Sequence, residues 1–508
     1  MDMGTSVHSV FWFWSQGAPL CGYFSMSPGK RWASTTIFVF FSVISFVYWI
    51  DKSFITDANF FRTIATTISP KKSPAHVEFQ FNCSNLNSTI TCPTNHPVTI
   101  EKEESSTVAC PAYTQWIHED LQPWKSTGIT RDMVERARVH ANFRLVIVKG
   151  KAYVENYSKA FQTRDVFTIW GILQLLRLYP GKIPDLELMF WCGDSTRIKK
   201  RDHQGLKAKS VPPLFHYCND DESLDIVFPD WTFWGWPELD IKPWRTTLEA
   251  LKEGNKRIKW KDRKPYAFWK GNPYVSKKRE KLLKCNVPNK NDWNVRLYIQ
   301  DWIKESKQGF KNSKLEDQCT HRYKIYIEGW TWSVSEKYIL ACNSMTLLVM
   351  PQFHDFFTRS LVPMQHYWPI NITNNICRDL KLAVEWGNNH TDKAQKIGEA
   401  GSKFIQENLK MDFVYDYMFH LLSEYAKLLK FEPTIPPGAH EACSETMACL
   451  MDDKLWKIKK FMVESMRNRE TRRVVSCRAT PSEEDSRVLR DADWGIRLLS
   501  RNLDLLLT

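Results

Sequence analysis

The sequence predicts an α/β protein built on parallel sheets, and three observations carry that reading. Tyr323-Lys324-Ile325-Tyr326-Ile327 is rich in β-formers, a Gly-Trp-Thr-Trp loop interrupts it, a helical segment covers 337–342, and 346–350 is a second apolar strand. Two more apolar runs, 186–192 and 265–269, each stop at a glycine-bearing loop. Helical patterns at 166–178, 394–407 and 413–429 are spaced among them. Strands alternating with helices imply parallel sheets, in which ligands bind beyond the strands' carboxyl ends.

Length and composition bound the rest. A chain of 508 residues can hold two ordinary domains and bury a large core. Apolar residues at 43% exclude a disordered polymer. Seventy basic residues against 57 acidic ones give +13, a balance suited to nucleic acid, a membrane surface or anionic small molecules. No helix-turn-helix or zinc-finger pattern accompanies that charge, so nucleic acid is not expected as a partner. The densest basic run, 256–264, reads as a solvated helix face.

Residues 32–50 form an uncharged 19-residue stretch preceded by Lys30 and Arg31, long enough to cross a bilayer core. This predicts a cytosolic segment 1–31 and a type II transmembrane anchor 32–50. The rival reading is a cleaved signal peptide, although no clear small-x-small site follows. Residues 51–110, rich in Ser, Thr, Asn and Pro, read as a stem. Twelve of thirteen cysteines lie beyond the anchor, and sequons stand at Asn82, Asn87, Asn156, Asn371 and Asn389. Both features suit an oxidising secretory lumen. Cys83/Cys92 and Cys443/Cys449 are the nearest candidate pairs, although connectivity is not readable from sequence.

Within the remaining chain, 144–148 and 152–157 flank Lys149-Gly150-Lys151, a hairpin signal. The helical stripe at 166–178 is closed by Pro180-Gly181. Ser333-Val334-Ser335-Glu336 has the spacing of a capping box, so its helix would point free N–H groups into the loop and favour an anion. A second anion-friendly loop follows 265–269, where Lys277, Lys278 and Arg279 could face a diphosphate. Together the two loops suggest a phosphorylated ligand.

Asp194 stands at the carboxyl end of the strand 186–192, where α/β enzymes place catalytic groups; Gly-Asp-Ser-Thr is equally ordinary turn chemistry. Residues 229–237 carry three tryptophans and a phenylalanine, which either stack a ligand ring beside a cleft or pack between domains. No P-loop, Gly-x-Ser-x-Gly, His-Glu-x-x-His or Cys-x-x-Cys occurs. The sole Asp-x-Asp, at 491–493, lies in an unpromising tail and argues against a metal-dependent nucleotide-sugar site.

"LELMFWCGD", "DIVFPDWTFWGWPEL", "PYAFWKGNP", "HRYKIYIEGWTWSVSEKYILAC" and "MDFVYDYMFHLLSEYAKLL" occur in this order. They resemble glycosyltransferase family 90, the Rumi-type protein O-glucosyltransferases and capsule-associated xylosyltransferases, especially its plant-type members, over 110–437. The resemblance implies two Rossmann-like domains in a GT-B-like arrangement across 111–437, with 438–508 a partly disordered extension. It implies inverting, metal-independent transfer of glucose or xylose from a UDP-sugar to a hydroxyl of a protein or polysaccharide acceptor, with no cofactor. Carried over residue by residue, Asp194 becomes the general base. Asn272, Arg279, Trp330, Thr331, Trp332, Ser333, Val334, Ser335 and Lys242 become donor contacts, so the expected anion is a nucleotide-sugar pyrophosphate. Animal relatives have arginine where this chain has Ser335, which asks Lys337 or Arg279 to compensate. Trp191, Gly193, Ser195 and Thr196 also depart from the usual neighbours of the base. No endoplasmic-reticulum retention tetrapeptide closes the sequence, so Golgi or another endomembrane is expected. Two rival readings are a catalytically inactive sugar-nucleotide or glycan-binding scaffold, and a glycosidase using Asp220/Asp221 or Glu328/Glu336.

Overall fold

The computed structural model describes residues 83, 92, 108–286, 292–372, 375–467 and 477. The predicted anchor at 32–50, most of the stem and the tail after 477 lie outside the described residues. Among those described, no helix is long and apolar enough to cross a membrane.

The strands are β1 (Phe143–Val148), β2 (Lys151–Asn156), β3 (Leu186–Phe190), β4 (Phe215–His216), β5 (Asn219–Asp220), β6 (Ile226–Val227), β7 (Lys264–Gly271), β8 (Val295–Ile299), β9 (His321–Tyr326), β10 (Met345–Val349), β11 (Phe353–His354), β12 (Trp368–Ile370) and β13 (His440–Ala442). The predicted hairpin forms: Val148 pairs with Lys151, and Lys149 and Gly150 take φ of 51° and 74°. Positive φ at both central residues is the type I′ geometry that matches strand twist. A two-residue turn can join only antiparallel strands, so the first sheet, ordered β13-β2-β1-β3-β4-β6, is mixed rather than parallel. The second sheet, β12-β10-β9-β7-β8, is parallel throughout and meets the expectation.

Each sheet has its own core. The helix Arg164–Leu178 lies in the first, with Trp170, Phe167 and Leu175 fully buried. Burying such a side chain contributes about 1.5–3 kcal/mol. The helix Met411–Leu428 returns to the same core, where the Tyr417 and Tyr425 hydroxyls donate to Val227 O and Glu187 O. In the second core, β9 and β10 pack against the helix Ile376–Asn389 through Tyr323, Ile325, Leu347 and Leu380.

Three expectations change. The predicted boundary at 437 falls inside packed structure: β13 extends the first sheet on β2, and Phe461 and Met462 of the helix Trp456–Arg467 are fully buried. The near-neighbour cysteine pairs are exchanged for Cys83–Cys449 and Cys92–Cys443, joined by Cys110–Cys477, Cys285–Cys377 and Cys319–Cys342. Spatial neighbours set disulfides, and β13 brings the 443–449 segment to the first sheet. Finally, the basic run is no continuous helix face. Its helix ends at Arg257, and Arg263 turns inward to Ser344 Oγ, Asn255 and Ile258 O.

Gly171 allows the close packing between Arg164–Leu178 and the tryptophan-rich segment, because a Cβ there would sit 2.3 Å from the Trp234 ring. Gly171→Leu is expected to destabilise the fold by at least ~1–3 kcal/mol through overpacking, read as a lower denaturation midpoint.

Candidate active site

Strand order locates the site. From β7 the chain moves to β8 on one side, then returns to β9 on the other side of β7. Connections leaving β7 and β9 therefore diverge, opening a crevice beyond their carboxyl ends. The β7 loop holds Asn272 and leads to the helix Lys277–Leu283; the β9 loop holds Glu328 to Ser333. Arg279 joins them. The residue is 8% exposed, and its guanidinium donates to Glu328 O (2.8 Å), Asn272 O (3.2 Å), Ile327 O (3.1 Å) and Ser333 Oγ (3.1 Å). A guanidinium has five N–H donors, so one remains for a ligand. Burial lowers Arg279 to about 10, which leaves it charged at neutral pH.

The helix after this loop differs from expectation. It covers only Ser335–Leu340, and the Ser333–Glu336 capping box does not form. Ser333 Oγ instead meets Arg279 and Ser335 Oγ, while Glu336 turns into the core, where Oε2 accepts from Thr358 Oγ1. So short a helix has a small dipole, and several of its leading N–H groups are taken by protein: Ser333 N–H donates to Tyr326 Oη, Ser335 N–H to Ser333 Oγ and Glu336 N–H to Ser333 O. Lys337 cannot stand in for the missing arginine, because it is buried in an ion pair with Asp230 at 2.7 Å.

The opposite wall comes from the first lobe. Asp194 follows β3, and its half-exposed carboxylate accepts from Arg164 Nη1 at 2.8 Å through Oδ1. Arg164 is held by Cys192 O and lies over the Trp231 ring. Gly193 is required here: a Cβ would fall 2.0 Å from the Trp191 indole, whose Nε1 donates to Ser195 O. His216 Nε2 bonds Gly193 O, and Thr331 Oγ1 donates to Asp194 O, linking the two lobes' loops.

Between the walls lies a cavity of about 570 Å³, within the range of small-molecule sites. Asp194, Asn272, Arg279 and Trp330 to Ser335 all line it, and Asp194 is its only carboxylate among the described residues. Lys242 does not line it; its ammonium faces Asp240 at 3.3 Å and the Phe461 ring. The tryptophan-rich segment divides: Trp231 and Trp236 line the cavity, while Phe233 and Trp234 pack in the core.

Sequence reasoning missed three features. Arg164 carried no signal beyond its place at the start of a helix. Lys324 lies on β9 and lines the cavity floor, 4% exposed, and burial followed by the nearby Arg263 charge lowers it to about 7. Trp231 and Trp332 line the cavity with their rings, and their indole N–H groups are buried without a hydrogen-bond partner among the described residues. The rival carboxylate pairs are occupied elsewhere. Glu328 binds Lys278 and the N–H groups of Gln352 and Phe353, and buried Asp220 faces Lys199. Among the described residues, Cys110, His420 and Cys477 alone come close enough to share a metal ion, and those two sulfurs are a disulfide.

Two α/β sheets enclosing a ligand cavity, with a single acid on one wall and strand-end loops on the other, define a class of α/β enzymes. The sequence profile described as Glycosyl transferase family 90 matches residues 105–493, and the chain belongs to that family. Protein O-glucosyltransferase 1 of Homo sapiens is 28% identical over 353 residues, covering 66% of this chain and 85% of that protein. The O-glucosyltransferase rumi homolog of Aedes aegypti is 28% identical, over 64% of this chain and 80% of its own length. O-glucosyltransferase rumi of Drosophila melanogaster is 27% identical, over 64% and 78% respectively.

Burial pushes the Glu336 carboxyl up to about 8, above the 4.5 of a solvated glutamate. The folded chain therefore keeps a proton that the unfolded chain releases. This contribution to stability is complete below about pH 4.5 and is lost as pH rises through 8. Glu336→Gln retains an acceptor for Thr358 and is expected to flatten the fall in melting temperature between pH 6 and 9, as followed by circular dichroism.

Proposed function

We propose that this glycosyltransferase inverts the anomeric centre of a UDP-sugar, glucose or xylose, without a metal. The two lobes would act as Rossmann-like domains in a GT-B-like arrangement. The single observation that carries the proposal is Asp194, the only carboxylate lining the cavity among the described residues, opposite the loops that close on Arg279. A glycosidase would need two carboxylates flanking the bond.

In this reading the acceptor hydroxyl approaches Asp194, which takes its proton as the oxygen attacks the anomeric carbon from the face opposite the leaving UDP. Arg164 holds Oδ1, while Oδ2 makes no hydrogen bond among the described residues. A base so placed contributes about 10²–10⁴-fold in rate. Charge developing on the diphosphate meets the remaining Arg279 donor and the Ser333–Ser335 segment, and Asn272 with the buried Thr331 and Trp332 hold the donor, while Trp330 stands exposed at the cavity mouth. The relatives' names support a sugar donor and a protein acceptor. Residues 32–50 would anchor the chain as a type II protein, with the catalytic region in the lumen of the Golgi or another endomembrane. The second reading, an inactive donor-binding scaffold, draws on one observation: Arg279 and Lys337 are largely committed to protein contacts.

UDP release by the full-length chain, across a panel of UDP-sugars with EDTA present and suitable hydroxyl acceptors, decides between them. Release from one donor, unchanged by EDTA and about 10²–10⁴-fold slower in Asp194→Asn with UDP binding retained, supports the enzyme. Binding without turnover assigns the chain to the scaffold.

A further inference from the structure

The segment that follows Asp194 is strongly basic and contributes nothing to the catalytic scheme above. Residues 197–209 contain six Lys and Arg, one His and a single Asp. The segment leaves the Asp194 loop through a stack: the Trp191 ring packs against Gly193 on one side, and the Arg197 guanidinium lies 4.0 Å from its centre. It then runs antiparallel to 222–224, with Lys200 N–H donating to Glu222 O and Leu224 N–H to Ile198 O, before Trp124 Nε1 anchors Val211 O. This is a fixed ridge, and its cations face outward. Arg197, Lys200, Lys207 and Lys209 are exposed, and none has a carboxylate partner among the described residues.

The local field is correspondingly positive. Burial first, then the charges of Arg197 and His203, lowers the His140 imidazole. Burial also lowers His203, where Asp202 opposes and Lys207 and Arg136 add to the fall. Unpaired like charges repel one another, so the fold bears a cost here that an anion would relieve.

A second observation concerns the cavity mouth. Phe161, from the first lobe, and Trp330, from the β9 loop, line the cavity holding Asp194 yet are 63% and 69% exposed. Separate rings with open faces beside a cleft suit the C–H faces of sugars. A membrane would need an inserting apolar face, and Leu206 is the single strongly exposed large apolar side chain on the ridge.

We propose that the acceptor of this chain is an anionic glycan, in place of the protein acceptor that the relatives' names give, its sugar rings resting on Phe161 and Trp330 and its acidic groups on the 197–209 ridge. The proposal rests on Asp194 being the base and names the substrate class that this base deprotonates.

Binding of polygalacturonate to the full-length chain tests it, beside a neutral glucan of equal length, poly-glutamate and phosphatidylserine vesicles. Expected results are preference for the polyuronate, and at least about tenfold weaker binding by Lys200→Ala/Arg201→Ala/Lys207→Ala/Lys209→Ala, with wild-type affinity also falling in high salt. Phe161→Ala/Trp330→Ala should weaken it independently. Unchanged affinity in the quadruple variant, no preference over the neutral glucan, or tighter binding of poly-glutamate or vesicles overturns the proposal. UDP binding is measured on the same samples. Its absence in the wild-type chain would defeat the donor reading while leaving the glycan comparison to stand or fall alone.

Discussion

The cavity depends on one buried guanidinium. Arg279 satisfies backbone carbonyls at the ends of β7 and β9 and reaches Ser333, so the loops leaving neighbouring strands are held as one wall. Carbonyls at a switch point have no further strand to pair with, and burying them unbonded would cost about 1–3 kcal/mol each. A lysine could not replace this pattern, since its donors radiate from one nitrogen while the fork reaches several carbonyls at once. The same arrangement explains why Arg279 has only one donor left for a ligand.

A second buried network supports the opposite side of that wall. Lys337 pairs with Asp230; burial first, then repulsion from Asp230 and Glu336, raises the Asp355 carboxyl, and burial first, then repulsion from Glu328, raises Glu336. One lysine cannot neutralise three acids in a medium of low dielectric, so protons complete the balance. Asp230 also caps the short turn at Trp231, fixing the aromatic segment that reaches Arg164 and through it Asp194. Base and donor wall are thus connected by packed side chains, and through Thr331 directly.

The local elements were legible in the sequence to the extent that their causes are local. A Lys-Gly pair between alternating β-formers makes a type I′ hairpin from backbone preference, and β7, β9 and β10 formed close to where their apolar runs lie. The Ser-x-x-Glu spacing misled because burial competes with capping: Glu336 found Thr358 across the chain, a partner 22 residues away that no window contains. Cysteine pairing failed for the same reason, since bridges spanning more than 350 residues depend on where β13 docks.

Composition, strand-end punctuation and motif order by themselves determined an α/β enzyme class, its family, and the loops around Asp194, Asn272 and Trp330, because each follows from short-range pattern. Only the tertiary structure decided which charges are available. Lys337 and most of Arg279 are bound to protein, Lys242 turns away, and Arg164, Lys324 and the Trp231 and Trp332 rings line the cavity. The physical reason is that a side chain's partners, burial and charge state are properties of three-dimensional neighbours, and those neighbours come from segments far apart in the chain.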